Sequence, residues 1–141
     1  MNGTNSFLLV DSESFLLENR STTGYDRGLA YPFDGTYIGG LAIWHIDEYV
    51  ISNNFDEETN RVNADVSHKG VDLEEANNPV LDDSWYESGD ARNLYYNGNN
   101  PEFSPTSTPN SDSYYLSGET GIVIDNISGV GSTMTVDIIN P

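Results

Sequence analysis

His45 and His68 are the two histidines of a 141-residue chain that carries 23 aspartates and glutamates, and these residue types define the chemistry open to it. Zinc proteolysis is the first to test. A zincin helix needs two histidines one turn apart with a glutamate beside the first. Here His45 is followed by Ile46-Asp47-Glu48-Tyr49 and His68 by Lys69-Gly70-Val71-Asp72, so neither reads HExxH. A zinc set of His45, His68 and a carboxylate such as Glu75 requires strands at 41–47 and 71–76 to pair. The expectation is instead a buried, hydrogen-bonded strand residue at 45, a loop residue at 68 and no zinc. No Gly-x-Ser-x-Gly elbow occurs. With so many acids, a carboxylate pair for glycoside hydrolysis has no specificity as a signal. No catalytic residue is assigned, and the chain by itself is not expected to be an enzyme.

Calcium is better supported. Glu75, Asp82, Asp83 and Asp90 are the expected carboxylate ligands, with Asn77 as an amide ligand. Calcium takes six to eight oxygens in a flexible cage, which an acidic, Asn-rich loop can supply. No EF-hand run is present.

The charge balance narrows the partners. Five Lys and Arg against 23 acids give a net charge of −18. Such a surface cannot displace counterions from phosphates, which excludes nucleic acid and anionic membranes. No apolar run approaches the roughly 20 residues of a spanning helix. Cysteine is absent, which removes disulfides, thiolate nucleophiles and Cys-based zinc sites. Residues 1–6 have neither a basic region nor a long apolar core, so no signal peptide is expected there.

The elements that must position these residues read as strands and turns. A hairpin is predicted from Phe7–Val10 and Phe15–Asn19. Gly39–Asp47 is the expected central strand, with Leu41, Ile43, His45 and Asp47 on one face and Ala42, Trp44 and Ile46 on the other. A helical turn is predicted near Glu57–Asn60. Val71–Ala76 is a short strand with Val71, Leu73 and Glu75 on a shared face. Residues 77–112 carry four prolines and almost no periodicity. A structureless loop of that length is unusual in a compact domain, and calcium is the expected constraint on it. Residues 121–139 alternate around Ser128-Gly129-Val130-Gly131 as a C-terminal hairpin. The whole, 1–141, is expected to be one all-β domain, an antiparallel sandwich or rolled sheet with one long calcium-ordered loop.

Several segments resemble a known family. Phe15-Leu16-Leu17-Glu18-Asn19-Arg20, Gly24-Tyr25-Asp26 and Gly40-Leu41-Ala42-Ile43-Trp44-His45-Ile46-Asp47 are similar to the "FLLENR…G-x-D…GLLIWHID" pattern of secreted bacterial zinc metalloproteases of the immune inhibitor A family. That pattern lies downstream of the catalytic domain. Asn63, His68, the stretch Gly70–Asn78, Gly89-Asp90 and Asn126–Val136 extend the resemblance to nearly the whole chain. The family's HExxH helix has no counterpart here, and Asn77-Asn78 stands where the family has Asp-Gly. The resemblance implies a secreted or cell-surface, calcium-requiring accessory domain whose partner is an upstream metalloprotease catalytic domain. It also implies that Glu18, Arg20, Trp44, His45 and Asp47 support the framework rather than bind substrate. The alternative is a free-standing extracellular binding or assembly module, an adhesin or filament subunit able to self-assemble. The chain's 16 aromatic residues motivate it.

Overall fold

A computed structural model describes residues 7–10, 12–30, 36–77, 81–82, 89–115 and 120–141. Asp83 lies outside them. The architecture is mainly β with antiparallel pairing. Strands β1 (Phe7–Val10), β2 (Glu13–Arg20), β3 (Gly40–Asp47) and β4 (Val71–Leu73) form a sheet in the order β1-β2-β3-β4. β2 and β3 pair along their full length, from Glu13 opposite Asp47 to Arg20 opposite Gly40. β4 pairs the other edge of β3, with Asp72 opposite His45. The alternation read for β3 is realised: Leu41, Ile43, His45 and Asp47 are all buried.

A second sheet pairs β5 (Val123–Asp125) with β6 (Asp137–Ile139), Ile124 lying opposite Ile138. Segment 95–103 ties the two sheets together. Tyr95 exchanges both backbone hydrogen bonds with Leu41, each 2.9 Å, and Phe103 does the same with Ile124, each 2.8 Å. The main core follows from those bridges. Phe15, Leu17, Leu41, Ile43, Tyr95, Phe103, Ile122, Ile124 and Ile127 cluster there, with Met134 and Val136 packed against them. Tyr37, Ala42 and Leu94 form a smaller cluster with Leu29, Trp44 and Leu73. β3 is thus covered on both faces, which explains its near-continuous apolar run.

Two expectations change. The helix lies at Glu48–Asn54 (α1), not near Glu57–Asn60, where the chain only turns. The reason is local: the Asp47 carboxylate accepts the Tyr49 and Val50 N–H groups and so caps a helix immediately after β3. The described part of 77–112 is also not structureless. Asp90 caps a single 3-10 turn at Ala91–Asn93. Asn100 Nδ2 donates to the Ala76 carbonyl at 2.9 Å, and Asn99 Nδ2 to those of Arg92 and Leu94 at 2.8 and 2.9 Å. Asparagine amides satisfy backbone carbonyls there in place of a regular ladder. Among the described residues, no helix is long and apolar enough to cross a membrane.

Candidate functional site

The polar centre of the protein grows from the far end of β3. Period-2 alternation sends His45 and Asp47 to the same face as Leu41 and Ile43, and the β2 register brings Phe15 and Glu13 opposite them. His45 is 2% exposed and lies between two carboxylates. Its Nε2 is 3.1 Å from Glu13 Oε1, and its Nδ1 is 3.2 Å from Glu74 Oε1. Glu13 also accepts the Tyr114 N–H at 3.0 Å and the Ser113 hydroxyl.

Asp47 is wholly buried and saturated with donors. Oδ1 accepts the Tyr49 and Val50 N–H groups at 2.9 and 3.0 Å. Oδ2 accepts the Tyr115 hydroxyl at 2.6 Å and lies 2.8 Å from His68 Nε2. Rings close over the centre: Tyr114 stacks on His45 at 4.7 Å and on His68 at 4.2 Å, and Phe15 packs against His45 at 4.5 Å.

These surroundings set the acidities. Burial alone would raise the Asp47 carboxyl, but the bonds from Tyr115, Val50, His68 and Tyr49 together hold it below the usual aspartate value. Glu74 goes the other way. Its burial, with Asp72 and Asp82 nearby, outweighs the bond to His45 and pushes it above the usual glutamate value. Burial and the surrounding carboxylates also push the Tyr114 phenol well up.

The residues expected to bind calcium have protein partners. Glu75 is buried and accepts Asn93 Nδ2 at 2.5 Å and the Leu81 N–H at 3.2 Å. Asp90 caps its 3-10 turn and forks onto the Arg92 guanidinium, while its N–H donates to Asn93 Oδ1. Asn93 therefore links Glu75 and Asp90. Asp82 pairs instead with Lys69, which also bonds Asp72 at 2.7 Å, and the Asn77 amide lies 3.4 Å from Asn99 Oδ1. The zinc set of His45, His68 and Glu75 is divided between these environments. A different group comes together: Glu13, Asp47 and His68 offer ligand atoms within 4.8 Å of one another. Sequence reasoning missed Glu13, and a signal for it existed. Glu13 shares the period-2 inward face of Phe15 and Leu17.

The segments that resemble the protease family are cross-linked by their polar side chains. Arg20 reaches Glu18 at 2.9 Å and Asp26 at 3.0 Å, and Trp44 Nε1 donates to Glu18 at 3.2 Å. Asn63 fastens β4 by two bonds to the Val71 backbone, at 2.7 and 3.0 Å. No family model, curated protein or solved structure matches the chain.

Proposed function

We propose that this chain is a non-catalytic, calcium-stabilised β-module of a secreted zinc metalloprotease resembling immune inhibitor A, folded as a sandwich or rolled sheet that packs beside a catalytic domain. One observation carries the reading. Four polar residues of the three resembling motifs, Glu18, Arg20, Asp26 and Trp44, bond to one another and tie the three motifs together. Groups committed to that network serve as framework. The sandwich element is supported by a core to which β2, β3 and β5 all contribute side chains. The calcium element is supported by the net charge of −18, whose self-repulsion a divalent cation relieves.

The test has two arms. Purified chain incubated with casein, zinc and calcium is expected to give no cleavage. Cleavage that a chelator abolishes and zinc restores overturns the non-catalytic reading. Added in trans to a catalytic domain of such a protease, the chain is expected to raise that domain's melting temperature. No shift counts against the packing.

A second reading, the free-standing assembly module, is favoured by three exposed apolar side chains. Tyr49 on α1, Phe55 directly after it and Val66 in the loop that follows are each about 60% exposed. Light scattering over a concentration series separates the two readings: self-association that Phe55→Ser abolishes supports assembly.

A further inference from the structure

The polar centre is short of positive charge. Glu13 and Asp47 are 2% and 0% exposed and lie opposite each other in the β2–β3 register. Among the described residues, the ion pairs of both carboxylates are with histidines, and none is with Lys or Arg. Carboxylates taken out of water demand a compensating cation.

We propose that Glu13, Asp47 and His68 bind one Zn2+, through a carboxylate oxygen of each acid and Nε2 of His68. The inference does not depend on the protease reading. Three observations carry it. The first is spacing. The three ligand atoms lie within 4.8 Å of one another, and His68 Nε2 is already 2.8 Å from Asp47 Oδ2. Bonds of about 2.0–2.1 Å in a tetrahedral site put ligand atoms roughly 3.3 Å apart, so modest side-chain movement completes the set.

The second observation is support from behind. Ligating carboxylates are themselves held by hydrogen bonds. Glu13 is held by His45, Ser113 and the Tyr114 N–H. Asp47 Oδ1 is anchored by the first turn of α1, which aims Oδ2 at His68. The third is the donor set. An imidazole nitrogen with two carboxylate oxygens suits zinc, whereas calcium takes an all-oxygen cage of six or more ligands. His68 binds as the neutral imidazole with its proton on Nδ1. Its partial exposure gives the ion a way in, and a water can take the fourth position.

The experiment is calorimetric titration of the chelator-stripped 141-residue chain with zinc chloride, in excess magnesium to occupy diffuse acidic sites. Cobalt absorption gives a second readout of nitrogen and oxygen ligation. One zinc per chain is expected. Outer-shell losses alone weaken metal sites 10- to 100-fold, so His68→Ala and Glu13→Gln should each weaken binding at least about 100-fold. Glu57→Gln, at an exposed acid outside the site, should leave it unchanged. Circular dichroism in chelator establishes that each variant is folded, and if one is not, the other decides. Absence of saturable zinc binding by the parent chain overturns the site, as does a folded variant that binds like the parent.

Discussion

Glu13 and Asp47, two buried acids, occupy directly opposing positions at the end of the β2–β3 pair. Like charges placed opposite each other in a sheet repel. Donors answer that repulsion here: the first turn of α1 and Tyr115 serve Asp47, Ser113 and the Tyr114 N–H serve Glu13, and each acid faces a histidine. The end of one strand pair thus depends on α1 and on segment 113–115 for its stability.

Replacing Asp47 should therefore be costly. Asp47→Ala removes the two α1 cap bonds and the contacts to Tyr115 and His68. Cap loss and unsatisfied buried donors together predict about 2–4 kcal/mol of destabilisation. Asp47→Asn keeps an oxygen for the cap and should cost less. Urea denaturation of the three proteins gives the comparison. Equal midpoints for parent and Asp47→Ala would show that the carboxylate is dispensable.

Stability should depend on pH in two opposed ways. The folded value of Asp47 is depressed, so its contribution is present above the unfolded value of about 3.9 and is lost as pH falls through the folded one. The folded values of Glu74 and Asp72 are raised, chiefly by burial. In the window between their unfolded values and those raised ones the folded state holds more protons, so stability grows as pH falls through it. Urea midpoints should rise on mild acidification and collapse below about pH 4. Glu74→Gln should shrink the rise and leave Asp72's share. A profile identical to the parent's would remove Glu74 from this account.

Two glycines separate backbone strain from open surface. Gly39 has φ +89°, and a Cβ there would meet the Arg20 carbonyl oxygen at 2.7 Å. Gly39→Ala should cost about 2–3 kcal/mol, since the strain and the clash act together. Gly28 has nothing within 4 Å of an added Cβ, and Gly28→Ala should stay within about 0.5 kcal/mol of the parent. Thermal melts of both variants test the contrast, and equal losses would contradict it.

Calcium is expected to raise the melting temperature relative to chelator, and magnesium to do so less. For an ion that binds only the folded chain, a hundredfold excess over Kd contributes about 2.7 kcal/mol. Asp90→Ala loses the cap of the 3-10 turn whether or not calcium binds. The informative quantity is therefore the calcium-minus-chelator difference within each protein. That difference should shrink in Asp90→Ala. No difference in the parent chain would leave the acidic segment without a calcium role, and equal protection by magnesium would reduce it to charge screening.

Much of the first sheet was legible in the sequence because one-dimensional periodicity reports which face a strand residue takes. Leu41, Ile43, His45 and Asp47 alternate inward as read, and His45 is the buried, hydrogen-bonded residue expected. Periodicity does not say what lies across the ladder. The partners of His45 are Glu13, through the β2 register, and Glu74, one position from the Glu75 that alternation along 71–76 selected. β4 ends at Leu73, so period-2 alternation no longer applies at Glu74 and Glu75.

What only the tertiary structure decided is the meeting of segments distant in the chain. His68 reaches Asp47 from a loop, while Tyr114 and Tyr115 arrive from more than sixty positions further on. Segment 95–103 is held by backbone bridges to Leu41 and Ile124 that leave no periodic trace. Alternation is a property of neighbours along the chain, whereas register and loop docking are set by the joint packing of residues such as Phe15, Tyr95, Phe103 and Ile124. The polar centre lies where those non-local contacts converge, so its residue types could be read from the sequence and its partnerships could not.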